Sequence, residues 1–333
     1  MVLGFAVTIL IGTFLLSLPI ASESRQPVSP LDALFTATSA VCVTGLVVTD
    51  TATTFSTFGE SVIMLLIQVG GLSFMTFGVL FAIMLGKRIG IKERLVIQHA
   101  LHQTRLQGLV RLVLAVVGIT FLAETIGTVL LATRWIPEMG VQKGLYYALF
   151  HSISAFNNAG FDLFGVYSEF SSLIRYVGDP VVNLTIAALF ILGGLGFVVI
   201  IEWRQIRYRQ KISLHTKLVL VITGTLVVLG TLSVMVIEWR NPDTLASLAG
   251  KDKILASFFQ GVTPRTAGFS TLNIADMYPA TQTMIILFMF IGASPSSTGG
   301  GIKTTTFVVV LLSCLGHDPR ERGYRGFPAQ NSP

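Results

Sequence analysis

Long apolar runs and shorter amphipathic ones alternate along this chain, and the alternation itself repeats. Apolar stretches fall near 2–21, 60–85, 111–133, 181–202, 216–238 and 280–314. Each approaches or exceeds the roughly 20 residues a helix needs to cross a hydrocarbon layer. Inside each successive pair sits a shorter segment, at 30–41, 143–156 and 252–263. Each of these predicts a helix of about three turns, too short to span. Ser29-Pro30 places proline in the first turn of one such helix with Asp32 just behind it, and Asp252 opens another. Both features favour a helix start. Every short helix then runs into a polar glycine motif: Val43-Thr44-Gly45-Leu46, Asn158-Ala159-Gly160-Phe161 and Thr266-Ala267-Gly268-Phe269, about 110 residues apart. The predicted unit is span, half-helix, glycine loop, span, used three times, and such a repeat outranks any local assignment. The fold class is an all-α membrane protein of re-entrant units.

A second echo sets the register of these units. Gln68-Val69-Gly70-Gly71-Leu72-Ser73-Phe74 matches Ile191-Leu192-Gly193-Gly194-Leu195-Gly196-Phe197, with Phe290-Ile291-Gly292-Ala293-Ser294 in the corresponding place. Paired small residues in a spanning helix admit a neighbouring backbone, and packing alone accounts for these glycines. The last apolar stretch is interrupted by the run from Gly292 through Ser294, Pro295 and Gly299-Gly300-Gly301 to Lys303. Proline and a triple glycine cannot continue an ordinary helix, so this span is predicted to break inside the membrane. A small, flexible, polar segment beneath a glycine loop suits a movable plug. Lys303 would either set a positive charge in the path or snorkel to the membrane edge.

Composition agrees with a membrane chain. Of 333 residues, 52% are hydrophobic and 12% charged, with a mean hydropathy of +0.73; a soluble domain carries about 25% charged residues. Cys42 and Cys314 match no metal or redox spacing. The opening stretch is expected to remain as a spanning helix rather than a cleaved leader. Lys87, Arg88, Lys92, Arg94, Arg105 and Arg111 cluster after the first unit, and Arg204, Arg207, Arg209, Lys211 and Lys217 after the second. These mark two cytoplasmic loops, so the N-terminus is expected in the cytoplasm and the glycine loops approach from outside. Glu23, Asp32, Asp50, Asp162, Glu169 and Asp179 would then concentrate cations at the outer mouth. The chain divides into a first unit over 1–86, a linker over 87–110, a second unit over 111–204, a linker over 205–215 and a third unit over 216–315 with a gate loop at 292–303. A polar tail over 316–333 reads as disordered.

The repeated glycine loop carries the chemistry. Non-helical backbone at membrane depth persists only where protein buries it or where it lines a water-filled path. A cation that sheds its water needs closely spaced oxygens, which backbone carbonyls supply when glycine permits unusual dihedrals. One such match is weak; three in the same architectural slot point to an ion path. Glu124, Gln68 and Asn183 lie inside spans, where hydrogen bonds to a neighbouring helix are expected. Asn157 and Asn158 are candidates to brace the second loop. Arg265 either bonds carbonyls of the third loop or stays solvated, and His151 reads as a packed residue. No catalytic set is present: Gly299 to Thr304 lacks Walker spacing and no strand precedes it, and His99 and His102 lack zinc-site company.

The stretches Leu34–Val48, Phe150–Asp162, Phe258–Ser270 and Gly292–Phe307 together resemble the membrane subunits of the Ktr/Trk/HKT superfamily of potassium transporters, the bacterial KtrB branch above all. The resemblance implies four such units around a pseudo-fourfold pore, of which three are present here. It implies an ion-binding filter formed by Val43, Thr44, Gly45, Asn158, Ala159, Gly160, Thr266, Ala267 and Gly268, with glycine in all three loops favouring potassium. It also implies an intramembrane gate that includes Gly292, Ser294, Gly299, Gly300, Gly301 and Lys303. The implied cargo is K+, with Na+ as a candidate coupling ion and no other metal. The implied partners are membrane lipid, a second copy in a homodimer, and a cytosolic nucleotide-binding ring of the KtrA type. The implied location is the bacterial plasma membrane. A non-conducting truncated relative, acting in assembly or regulation, is the alternative.

Overall fold

The structure, a computed structural model, describes residues 2–72, 76, 109–206 and 212–315. The basic groups from Lys87 to Arg105 and from Arg207 to Lys211, Ser73 and Phe74 of the glycine echo, and the tail from 316 lie outside the described residues.

The first unit opens with α1 (Val2–Leu16), which is apolar on every face. Its Thr8 and Thr13 hydroxyls donate to the carbonyls of Gly4 and Ile9 at 2.9 and 2.8 Å, which hides them from lipid. Pro19 begins a separate short turn, so this helix stops before the expected residue 21. The half-helix α2 (Pro30–Val41) covers the span that its sequence predicts, with proline in its first turn. A single turn, α3 (Thr51–Thr54), is capped by the Asp50 carboxylate, and α4 (Thr57–Gly71) by the Ser56 hydroxyl.

The second unit comprises α5 (Leu109–Met139), the half-helix α6 (Val141–Phe156), α7 (Pro180–Leu195) and α8 (Phe197–Ile206). The third comprises α9 (Leu214–Glu238), the half-helix α10 (Gly250–Val262), α11 (Pro279–Phe290) and α12 (Thr304–Leu315). By length and apolarity, Val110–Met139 and Leu214–Glu238 each suffice to cross a membrane alone. The expected single span at 181–202 is instead two helices, α7 and α8, bent by 98° at Gly196. Gly196 sits at φ +91°, a conformation that side chains rarely adopt.

In the first two units the half-helix packs against both flanking helices, α2 on α1 and α4 and α6 on α5 and α7, while in the third α10 packs on α9. Neighbouring units meet where α4 touches α6 and where α7 touches α9 and α10. Among the described residues the first and third units share no extended helix contact. The outward faces are apolar and open, as at Val7, Leu10 and Phe14 of α1 and at Val221, Val228 and Val236 of α9. Such faces suit contact with lipid.

Glycines let the half-helices approach their neighbours. A side chain on Gly70 would collide with the Val41 carbonyl, and one on Gly193 with the Phe156 carbonyl. Val41 and Phe156 end their half-helices, so the paired glycines occupy equivalent contacts in two units. Glu238 ties the third unit together at the end of α9. It is wholly buried and accepts from Tyr278 N at 2.9 Å, Asn241 Nδ2 at 2.6 Å, Thr244 Oγ1 at 2.7 Å and the Thr281 hydroxyl. A buried carboxylate with four donors is well compensated. Gly230 on α9 faces Gly261 on α10, backbone to backbone. Replacing Gly230 with isoleucine should therefore destabilise the fold by about 1–3 kcal/mol, read as a lowered unfolding temperature in detergent.

Candidate ion pathway

Each half-helix ends in the same backbone signature. Val43, Asn158 and Thr266 have φ of 54°, 57° and 67°, and Gly45, Gly160 and Gly268 have φ of 76°, 71° and 82°. Thr44, Ala159 and Ala267, between them, keep negative φ. Alternating handedness turns successive peptide groups toward one side of a strand, so that glycine-permitted dihedrals can line up carbonyl oxygens. Left-handed φ costs a residue with a Cβ about 1–2 kcal/mol, and most at β-branched Val43 and Thr266.

Hydrogen bonds from the half-helices hold this geometry. The N–H of Thr44 donates to Ser39 O at 2.9 Å, that of Ala159 to Ser154 O at 2.8 Å, and that of Ala267 to Thr263 O at 3.0 Å. The third turn is one residue tighter because α10 stops at Val262, just ahead of Pro264. Hydroxyls reinforce two of the strips: Ser154 Oγ donates to Phe161 O at 2.7 Å, and Thr263 Oγ1 to Phe269 O. The recurrence of Ser39, Ser154 and Thr263 ahead of the glycines was a signal available in the sequence. Ser39 Oγ, its counterpart in the first unit, is buried without a partner among the described residues.

The three strips meet. A Cβ placed on Gly45 would lie 2.7 Å from Ala159 O. One placed on Gly160 would lie 2.9 Å from both Ala267 O and Gly268 Cα, and one on Gly268 would lie 2.9 Å from Gly160 Cα. The second strip thus sits between the first and third, with main chain against main chain.

The loop between α11 and α12 folds back beneath the second and third strips. Gly292 N donates to Ile302 O and Ala293 N to Gly300 O, both at 3.0 Å, which closes the loop on itself. Ser294 N donates to Gly194 O at 3.0 Å and Thr298 N to Gly193 O at 3.2 Å. Phe197 N, at the start of α8, donates to Ser296 O at 2.9 Å. The loop therefore caps the end of α7, where helix carbonyls have no partner of their own. This explains the 98° bend, which sequence packing arguments missed. Thr298 joins the loop to the second strip: its hydroxyl accepts from Asn158 Nδ2 at 2.9 Å and donates to Phe156 O at 3.1 Å. Gly299 lies close to Thr266, since a Cβ there would approach Thr266 Oγ1 to 2.5 Å. Lys303 Nζ donates to Gly299 O at 2.7 Å, so its charge is held on its own loop.

The expected bracing residues divide. Glu124 Oε2 accepts from Gln68 Nε2 at 3.2 Å and Glu124 Oε1 from Asn157 Nδ2 at 3.0 Å, while Asn157 Nδ2 also reaches Gln68 Oε1 at 3.1 Å. This buried cluster fastens α4 and α5 to the residue that precedes the second strip. Asn183, expected to bond a neighbouring helix, donates instead to Tyr176 O at 2.6 Å and Asp179 O at 2.7 Å, in the segment just ahead of its own helix. Arg265 is buried, but its Nε has no hydrogen-bond partner among the described residues, so it does not tether the third strip through that atom. His151 is both packed and bonded: its ring nitrogens contact Tyr147 O and Leu163 N at 2.7 and 3.2 Å. Cys42, in the slot that Asn157 and Arg265 fill in the other units, is an exposed free thiol.

Comparison with known proteins gives a consistent result. The family model described as a cation transport protein, TrkH, matches residues 4–317. The Ktr system potassium uptake protein B of Bacillus subtilis is 49% identical over 95% of this chain and 69% of its own length. Its namesake from Vibrio alginolyticus is 44% identical over 93% of this chain and 67% of its own length. The potassium/sodium uptake protein NtpJ of Enterococcus hirae is 39% identical over 93% and 67%. The crystal structure of the potassium transporter TrkH from Vibrio parahaemolyticus shares the fold at a TM-score of 0.69 and 18% identity, covering 99% of this chain and 65% of that one. The chain thus spans about two thirds of the length of these relatives. It belongs to the TrkH family of cation transport proteins.

Proposed function

We propose that this chain serves potassium uptake across the bacterial plasma membrane through a path lined by backbone carbonyls. The observation that carries the reading is the mutual approach of three main-chain strips with one shared pattern of φ signs. Alternating handedness presents carbonyl oxygens along one side, and oxygens so arranged replace the water around a bare monovalent cation. The filter is assigned to Val43, Thr44 and Gly45, to Asn158, Ala159 and Gly160, and to Thr266, Ala267 and Gly268. Glycine at all three turns, together with the potassium uptake named for the Bacillus and Vibrio relatives, supports K+ as cargo. The potassium and sodium named for the Enterococcus relative support Na+ as a coupling ion.

The loop 292–303 is assigned as the gate. It lies against Asn158 and Thr266, and Lys303 keeps a positive charge on the loop. Entry of cations down the membrane potential is driven by about 2.3 kcal/mol per charge per 100 mV. The system naming of the Bacillus and Vibrio relatives supports operation with other subunits, for which a second copy and a cytosolic nucleotide-binding ring are the assigned partners. The N-terminus is assigned to the cytoplasm on the placement of basic residues. The packing of α2 and α6 between their own flanking helices, and of α10 on α9, supports the division into units 1–86, 111–204 and 216–315.

Expression of the chain in cells that lack their own uptake systems should restore growth at limiting potassium; cells that stay potassium-starved despite membrane-inserted protein would refute transport by this chain. Gly268→Ser should lower the preference for potassium over sodium in uptake about tenfold, and an unchanged ratio would remove the third strip from the filter. Thr298→Val removes the hydroxyl that joins the loop to Asn158. It should raise the uptake rate several-fold if that bond holds the gate shut, whereas Thr298→Ser should behave as the parent.

A further inference from the structure

His151 stands where two rigid groups dictate its chemistry. Its Nδ1 lies 2.7 Å from the carbonyl oxygen of Tyr147, one turn back along α6. Its Nε2 receives the backbone N–H of Leu163 at 3.2 Å. A carbonyl can only accept, so Nδ1 carries the proton; a backbone N–H can only donate, so Nε2 offers its lone pair. An imidazolium would set N–H against N–H. Leu163 follows Gly160 by three residues, so this bond fixes the chain just where the second strip leaves the ion path.

The ring also touches both sides of that strip's exit. Its centroid is 4.6 Å from that of Phe164 and 6.4 Å from that of Phe269, which directly follows Gly268 of the third strip. The same slot, nine residues ahead of the motif glycine, holds Thr36 in the first unit and Phe259 in the third. Phe259 is wholly buried there, so core filling at this slot does not call for a histidine. What the second unit gains from imidazole over phenyl is an acceptor for the Leu163 N–H.

On the reading that the three strips form the filter, we propose that His151 is a positioning residue for ion selection. As the neutral Nδ1–H tautomer it fastens the exit of the second strip to its half-helix and sets that strip's distance from the third.

The test uses the chain in membranes of cells without other potassium uptake. His151→Phe keeps the bulk and the ring contacts that the third unit itself uses, but it leaves the Leu163 N–H unpaired. It should lower the potassium-over-sodium preference about five- to tenfold, the size of one buried hydrogen bond. His151→Gln places an acceptor oxygen near the Nε2 position and should restore most of the preference. A parent-like ratio in His151→Phe overturns the proposal. Gly160→Ala, measured alongside, tests the filter itself: if it too leaves the ratio unchanged, the filter reading fails, and if it alone destroys the ratio, only the role of His151 fails. A second measurement depends on neither folding of variants nor uptake. In the purified chain in bilayers, 15N-labelled His151 should show a protonated Nδ1 and a bare Nε2 at neutral pH. An Nε2–H tautomer or an imidazolium would overturn the assignment.

Discussion

Everything in this architecture answers to one constraint: inside hydrocarbon no water is available to a peptide group. An unpaired backbone N–H or C=O there costs on the order of several kcal/mol, which is why spans are helical. Among the described residues the chain nevertheless leaves the helix in the three glycine strips, at the Gly196 bend and in the loop between α11 and α12. Each departure is hydrogen-bonded from its own surroundings. The strips hang from the ends of their half-helices through Thr44, Ala159 and Ala267. The loop gives its N–H groups to the open end of α7 through Ser294 and Thr298. The left-handed residues Val43, Asn158 and Thr266 are held by these bonds against their intrinsic preference.

The sequence made the half-helices legible because their signals are local. Proline at residue 30 starts α2, and Val41, just ahead of the glycine motif, ends it. The break in the last apolar stretch was legible for a similar reason, since Pro295 and Gly299 to Gly301 exclude a helix whatever surrounds them. Gly196 was not legible. Leu192 to Phe197 reads as an uninterrupted apolar run with glycines suited to packing, and hydropathy reports the solvent around a segment, not its direction. The bend depends on a cap supplied by a loop about a hundred residues downstream, which no local pattern encodes. Glu238 was hidden likewise, because its four donors come from two separate stretches of chain.

The candidate site shows the same division between what repeats and what does not. The glycines and the handedness of the strips recur in all three units, so the repeat announced them. Apart from the hydroxyls of Ser154 and Thr263, the side chains around the strips do not recur. The slot of Cys42 in the first unit holds Asn157 in the second, bonded to Glu124 and Gln68, and Arg265 in the third. Thr36, His151 and Phe259 differ just as widely. On the proposed filter an ion would meet oxygens and their spacing, so strips of one handedness are compatible with asymmetric supports. Supports are chosen by the neighbours of each unit, and those neighbours are known only after folding.

That asymmetry bears on the loop proposed as the gate. In the sequence the span following the third strip carries the long polar interruption, and in the fold this segment crosses to the second unit to find hydrogen-bond partners. Thr298 contacts the Gly193 carbonyl, the Phe156 carbonyl and the Asn158 side chain at once. Moving the loop would therefore uncap α7 and free the first residue of the second strip in a single step. Because Thr298 joins three of those bonds and Ser294 N holds the Gly194 carbonyl beside them, the loop cannot withdraw by degrees without leaving buried polar groups unpaired, and arrangements between docked and released are disfavoured. On the proposed gate assignment, a loop so held would have few stable positions, as a switch requires.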